Sequence, residues 1–355
     1  MIDRVHFENF KSLQSVTLDL GRLTALVGAN GCGKSSVLQA MHLLSQKAQK
    51  APTGRNALAD LLSLPRRLMY RAGSGDMVLS MRNSAGDVLR VEKHVDEDAG
   101  FLGDVGTTYP RSSSDEFASV AYLHLDANEM TRTSLAEDET PRMAADGSNL
   151  ASALAWMKGA AEDDLAQITA DLRQVVPGVK RIRTLRERLT NRRMEKLDID
   201  GQPIWRPVDE SLIGDRFEIE FDDGSEIPAD LLSEGTVLTL GLLTKLREPA
   251  RPRLILIDDI DRGLHLAAQA KLVQALRTLM KLDPELQIIC TTHSPYLLDL
   301  FEPAEVRVLA LDAERRTHAR PLTEHPDFAK WKFGTQTGEL WAALGEAWVV
   351  DGANG

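Results

Sequence analysis

The feature that most constrains this chain is a run of eight residues, Gly28-Ala29-Asn30-Gly31-Cys32-Gly33-Lys34-Ser35, which matches G-x-x-x-x-G-K-[ST] without a gap. An apolar run, Thr24-Ala25-Leu26-Val27, precedes it and suits a buried strand, and a helical pattern follows from about Lys34 to Gln49. That context gives the loop its chemistry. The glycines let successive backbone N–H groups curl around phosphates, and the helix N-terminus adds a positive dipole end. Lys34 is placed to reach the β- and γ-phosphates, and Ser35 to give its hydroxyl to Mg²⁺. Asn30, Gly31, Cys32, Gly33 and Ser36 complete the expected nucleotide contacts. The competing reading is a glycine-rich turn that matches by chance; the flanking strand and helix argue against it.

A triphosphate site also needs a carboxylate at the end of a neighbouring apolar strand. Leu254-Ile255-Leu256-Ile257-Asp258 meets that need. Asp258 is expected to hold Mg²⁺, and the next acid, Asp259, to orient or deprotonate the attacking water. Without the phosphate loop, the same residues would read as an ordinary strand before an acidic turn. No N-K-x-D-type guanine reader follows the loop, so the nucleotide is read as ATP rather than GTP.

Composition narrows the class. The chain has 355 residues, 43% of them hydrophobic, enough for a sizeable core. A net charge of -11 argues against whole-molecule attraction to a polyanion, so any nucleic-acid contact needs a local basic patch. The two cysteines, Cys32 and Cys290, make neither a disulfide framework nor a zinc site and fit a reducing cytosol. No stretch reaches the roughly 18 apolar residues of a membrane span, and the N-terminus lacks a signal-peptide pattern.

Short strands are expected from Val5 to Leu26 and a hairpin across 77–95. Loops are expected at 99–116 and 137–147, with a strand between them at Val120–Leu125. Helical spacing runs from Ser148 to Val176, a second hairpin over 217–227, and helices again over 236–246 and 264–280. No internal repeat and no long heptad array appear.

Leu232-Ser233-Glu234-Gly235-Thr236 precedes an apolar helix, which makes Ser233 and Gly235 a second anion seat and suggests a composite site. Ser233-Glu234-Gly235-Thr236 resembles the divergent signature motif of ABC-type ATPases of the SMC, RecF and OLD-nuclease group. Asn9-Phe10-Lys11-Ser12, the phosphate loop, Ile257-Asp258-Asp259, Gly263-Leu264-His265 and Thr291-Thr292-His293-Ser294-Pro295 resemble the same group in the same order, over about residues 1–310. The resemblance implies an α/β P-loop NTPase fold of ABC-ATPase type: a mostly parallel sheet, an antiparallel N-terminal lobe and a helical insertion. It implies one interrupted domain, with residues 1–130 as the first lobe, 148–227 as a helical and basic insertion, and 228–310 carrying signature, Asp258 and switch histidine. Residues 311–355 are left as a tail. It further implies that Ser233 contacts the γ-phosphate bound to a partner subunit, that His293 is the switch histidine, and that Lys11 approaches the nucleotide. The loop Gly263-Leu264-His265 would cross the dimer interface.

Two positions depart from the group. Asp259 stands where glutamate is usual, one methylene shorter, and Asp261 stands where proline is usual. A sensor glutamine has no clear counterpart; Asn128 is the nearest guess. Outside the core, eight cations crowd between Lys180 and Lys196, read either as a track for a DNA or RNA backbone or as a solvated helical face. Trp341 and Trp348 lie seven apart, on one helical face, read as a partner dock or as packing onto the chain's own core. Cys32 is read as small-residue filling, with a redox switch as the alternative.

The expected function is a cytoplasmic ATPase that needs ATP and Mg²⁺ and works as an ATP-clamped homodimer. No nuclease or TOPRIM acidic constellation is visible, so a separate effector, such as a nuclease, is expected as partner. The resemblance implies a setting in bacterial defence or DNA maintenance. The rivals are an ATP-bound scaffold that hydrolyses slowly or not at all, and the ATPase subunit of a transporter.

Overall fold

The computed structural model describes residues 1–49, 76–95, 102–108, 115–135, 142–199, 202–249, 251–331 and 334–351. It divides into two compact units, residues 1–124 with 252–355, and residues 125–251.

The first unit begins with β1 (Ile2–Phe10), β2 (Leu13–Asp19) and β3 (Leu23–Val27), then the helix Lys34–Gln49. β4 (Met77–Asn83), β5 (Val88–Val95), β6 (Leu102–Thr108) and β7 (Val120–Leu123) follow. After the second unit come β11 (Leu254–Ile257), β12 (Gln287–Thr291), β13 (Val306–Leu311) and β14 (Thr317–Pro321). Among the described residues the main sheet has the order β14-β13-β3-β12-β11-β7. Its pairs are parallel except β13–β14. β3, β11 and β12 are buried along their whole length, which is why they read as unbroken apolar runs rather than alternating ones.

The antiparallel lobe has the order β2-β1-β4-β5-β6. Here alternation returns: Val5 and Phe7 point inward and Arg4 outward. Phe7, Phe10, Leu13, Leu79 and Met81 share one core with Val37, Leu38, Met41 and Leu44 of the helix Lys34–Gln49. Buried Gln287 ties this lobe to the parallel sheet. Its Nε2 donates to Ile2 O (2.7 Å) and Gly21 O (2.8 Å), and its Oε1 accepts from Ile2 N–H (3.0 Å).

Three expectations change in this unit. Residues 102–108, inside the stretch expected as loop, form the edge strand β6 against β5. Their Gly, Thr and Asp content hides a strand whose partner edge supplies the order. Residues 317–321, inside the expected tail 311–355, extend the main sheet as β14. The two tryptophans do not share a helix. Gly345 (φ 63°) ends the helix Thr337–Leu344 in a left-handed turn, and Trp348 lies in the next helix, Ala347–Asp351.

The second unit holds the helices Leu150–Ala160, Glu162–Val175 and Glu234–Arg247, with β8 (Val179–Ile199), β9 (Gln202–Phe221) and β10 (Glu226–Pro228). The expected hairpin over 217–227 is β9–β10. The basic tract, however, is no helical face: β8 and β9 pair antiparallel from Val179↔Phe221 out to Ile199↔Gln202. Cross-strand partners decide this. Glu220 takes Lys180 and Arg181, and Glu218 and Glu226 take Arg183. The insertion is thus half helix and half ribbon. It spans 125–251 rather than 148–227, and includes the Ser233 helix.

That helix is buried from Gly235 to Arg247, and two ion pairs sit at its end. Lys245 meets Glu248 at 2.8 Å, and Arg247 meets Asp171 at 2.6 Å with both side chains 11% exposed. Removing one partner strands the other charge. Asp171→Ala is therefore expected to cost about 3 kcal/mol, read as a lower urea midpoint, whereas Asp164→Ala at the exposed Arg251 pair should cost less than about 1 kcal/mol.

Candidate functional site

β3 delivers the chain to Gly28, whose φ of 144° is open only to glycine. A Cβ there would lie 2.1 Å from Leu309 O and 2.8 Å from Cys32 Sγ. Gly31 (φ 79°) and Gly33 (φ 105°) continue the curl. Lys34 is buried, and its Nζ donates to Gly28 O (2.8 Å) and Ala29 O (3.0 Å). The ammonium is thus held inside the loop it must serve. Asn30 and Gly31 are exposed at the loop's crest, and Ser36 is half-buried on the helix's first turn. Burial pushes the Cys32 thiol up, ahead of the opposing pull of Lys34, so it stays a neutral filler.

Strands that run parallel end on one edge, where α/β proteins place their sites. Asp258 stands there with four neighbours. Its Oδ1 accepts from Ser35 Oγ (3.0 Å) and Thr291 Oγ1 (2.8 Å). Its Oδ2 accepts from Tyr122 OH (3.3 Å) and lies 3.6 Å from His124 Nδ1. Residues separated by 223 positions, Ser35 and Asp258, therefore meet. Burial first, then the charge of Asp258, pushes the Tyr122 phenol up to about 12, so it remains a donor at any physiological pH.

Asp259 follows in the left-handed region (φ 52°), a conformation costing a non-glycine residue roughly 1 kcal/mol. Thr291 offsets that cost. Its Oγ1 accepts from Asp259 N–H at 2.7 Å and lies 3.4 Å from Asp259 Oδ1. Downstream, Asp261 Oδ1 is buried without a hydrogen-bond partner among the described residues. Gly263 turns with φ 68°, and His265 N-caps the helix Leu266–Leu282. His293 stands exposed on the loop after β12. Next to it Ser294 caps the helix Pro295–Leu298 and donates to Gln269 Oε1 (2.9 Å).

Lys11, also left-handed (φ 53°), donates to Gln39 Oε1 on the phosphate-loop helix and lies over the Phe10 ring; burial lowers its pKa. Ser233 and Gly235 belong to the other unit. Ser233 is an exposed residue that N-caps its helix, its hydroxyl accepting from Thr236 N–H (3.2 Å) and bonded to Thr236 Oγ1 (2.7 Å).

Sequence reasoning missed Tyr122 and His124. Asn128 lies in a short helix, its N–H capped by Asp126 (2.9 Å). The side chain that stands beside Asp258 is instead His124. β7 and β11 pair with Leu123 opposite Ile257, and Asp258 N–H donates to Leu123 O (2.9 Å), so His124 falls next to Asp258 by register. In the basic tract, Lys180, Arg181 and Arg183 are paired with acids, which leaves less positive charge for a nucleic acid than the sequence suggests. The side chains of Arg192, Arg193 and Lys196 lie outside the described residues. No described helix is long and apolar enough to cross a membrane.

Family comparison matches residues 104–299 to "AAA domain, putative AbiEii toxin, Type IV TA system" and residues 1–104 to an AAA ATPase domain. Septu protein PtuA of Bacillus thuringiensis is 36% identical over 69 residues, 19% of this chain and 17% of that protein. The OLD nuclease of Thermus scotoductus is 46% identical over 44 residues, 12% of this chain and 8% of that protein. The chain thus spans less than a fifth of the length of either relative. An SMC head bound to the C-winged helix domain of ScpA aligns with a TM-score of 0.54 at 16% identity, over 90% of this chain and 96% of that one. An SMC head with an extended coiled coil, derived from Pyrococcus furiosus, aligns with 0.52 at 14% identity, over 93% and 98%. These structures share the ABC-type ATPase head fold with the chain.

Proposed function

The chain belongs to the AAA-domain family whose description names the AbiEii toxin of type IV toxin–antitoxin systems, as an SMC/OLD-like ATPase, and on that footing we propose that it binds and hydrolyses Mg·ATP as an ATP-clamped homodimer. The observation that carries this reading is the meeting of Ser35 with Asp258 at 3.0 Å. A hydroxyl and a carboxylate at the mouth of a phosphate loop are the hard oxygen donors that magnesium takes. Ser35 and Asp258 would hold the ion, which supplies charge neutralisation at the phosphates.

The rest falls to the chain's own side chains. Lys34 would leave its carbonyl partners for the β- and γ-phosphates, and Lys11 would approach the nucleotide from the antiparallel lobe. Asp259 would take a proton from water as the water oxygen bonds to the γ-phosphorus and the bond to the β–γ bridging oxygen breaks. His293 would stabilise the phosphoryl group in transfer. Ser233 of the partner subunit would cap the same phosphate, so hydrolysis releases the clamp. Calorimetry should show uptake of Mg·ATP, and phosphate release should follow in the same preparation. No heat of binding by the wild type overturns the reading.

His124, whose Nδ1 lies 3.6 Å from Asp258 Oδ2, would orient the carboxylate that holds the magnesium. Groups at this remove from a metal typically contribute roughly 10- to 100-fold. His124→Ala is expected to lower turnover in that range while Mg·ATP affinity stays within about threefold. Equal kcat in variant and wild type excludes the role.

The output is proposed to pass to a separate effector, such as a nuclease, in a bacterial defence or DNA-maintenance complex. The resemblance to the OLD-nuclease group supports this, as do the partial matches to PtuA and the OLD nuclease. A second reading, a switch that hydrolyses ATP slowly or not at all, is favoured by one observation. The short Asp259 side chain is drawn toward Thr291 Oγ1 at 3.4 Å, which shortens its reach toward substrate.

A further inference from the structure

The C-terminal segment touches two parts of the candidate site. Helix Thr337–Leu344 is seated on the short helix Pro295–Leu298, just downstream of His293, and on the turn that follows it. Gly338 lies so close that a Cβ would be 1.8 Å from Pro295 O, its N–H donates to Asp299 Oδ1 (2.8 Å), and Thr337 Oγ1 donates to Phe301 O (2.7 Å). At the other end, Gly345 breaks the helix and Trp348 anchors the turn. The Trp348 ring is buried edge-on to His325 at 5.0 Å, and its Nε1 donates to Gly345 O (3.1 Å). The turn held this way carries Glu346 to the phosphate loop, where Oε2 accepts from Ala29 N–H at 2.8 Å.

Ala29 is therefore gripped twice. Glu346 holds its N–H, while its carbonyl accepts from Lys34 Nζ (3.0 Å) and from Cys32 N–H (3.2 Å). A carboxylate acceptor makes a charge-assisted bond, stronger than a neutral one. It fixes the peptide whose carbonyl Lys34 must leave when phosphates arrive. A cavity of about 380 Å³ beside the contact, lined by Ala29, Cys32, Leu311, Asp312, Glu346 and Val350, leaves room for Glu346 to withdraw.

We propose that Glu346 is a positioning residue for the phosphate loop, and that residues 336–351 form a strap coupling that loop to the segment just downstream of His293. The inference rests on reading the phosphate loop as an ATP site, but its first test needs no nucleotide. In ¹⁵N-alanine-labelled full-length protein, Ala29 amide exchange is expected to be at least roughly tenfold faster in Glu346→Ala than in wild type. Glu346→Gln, whose amide oxygen still accepts, restores protection. Gly338→Val, which lifts the helix from Pro295, should also speed exchange at Ala29, a residue it does not touch. Unchanged exchange in Glu346→Ala overturns the contact, and unchanged exchange in Gly338→Val overturns the coupling. With nucleotide, Glu346→Ala should raise KM for ATP about five- to tenfold with kcat within twofold, and Glu346→Gln should return KM to wild type. Should the wild type fail to bind Mg·ATP while the exchange results hold, the strap stands and the nucleotide reading falls.

Discussion

Lys34→Ala is expected to remove measurable Mg·ATP binding and to bring phosphate release to background. The buried Nζ makes two hydrogen bonds to carbonyls of its own loop. On the proposed reading it would exchange them for bonds to phosphate oxygens, which carry full negative charge. Charge-assisted bonds contribute about 1.5–3 kcal/mol each, so losing two should weaken binding by roughly 10²- to 10⁴-fold. Lys34→Arg keeps the charge but not the shape. A planar guanidinium cannot replace a compact ammonium that is 5% exposed, so it should bind ATP almost as poorly. Thermal unfolding separates lost chemistry from a lost loop. Neither variant should move Tm by more than a few degrees, because the glycine conformations and the Ser35–Asp258 bond stay in place. Calorimetry that gives wild-type affinity for Lys34→Ala overturns the assignment of the phosphate loop.

The parts of this site that can be read from sequence are the parts whose physics is local. Gly28, Gly31 and Gly33 are needed by the curl of one loop, and Leu254–Ile257 are needed by burial on both faces of one strand. Each requirement is met within a few consecutive residues. Interactions between distant segments leave no such mark. The cations of Lys180–Lys196 read equally well as a helical face, because the acids that pair with them, Glu218, Glu220 and Glu226, arrive on another strand. β6 is ordered by the edge of β5, not by its own Gly- and Thr-rich residues. His124 is a lone imidazole one residue past a four-residue strand, and only the β7–β11 register sets it beside Asp258. Glu346 reaches Ala29 across 317 positions through a helix break at Gly345.

The same reasoning bears on the basic tract. A backbone-tracking surface needs unpaired cations, and each phosphate contact adds nearly one unit to the salt slope of binding. With Lys180, Arg181 and Arg183 already facing carboxylates, the described part of the ribbon is suited to holding its own register. Arg186 also lies opposite an acid, Asp215, so any DNA contact by the described part of this tract falls first to Arg188. Arg188→Ala should flatten the salt dependence of DNA binding by about one unit, while Lys180→Ala should leave it unchanged.

Asp259→Asn should separate binding from turnover and decide between motor and switch. Asparagine tolerates the left-handed backbone that Asp259 adopts (φ 52°). It also keeps an acceptor near Thr291, so the fold is preserved while the proposed general base is lost. Removing such a base typically lowers rates by roughly 10²- to 10⁴-fold. ATP affinity should change little, since Lys34 and the loop amides are untouched. A clamp that forms but cannot release then accumulates. Light scattering with Mg·ATP should show a dimer for Asp259→Asn and a monomer without nucleotide, and a further Ser233→Arg change should abolish the dimer by blocking the seat for the partner's γ-phosphate. If wild type and Asp259→Asn both release phosphate only at background, while both dimerise with ATP, the chain is a switch. If both turn over equally and above background, the base is another group and Asp259 is only a strained corner of the loop.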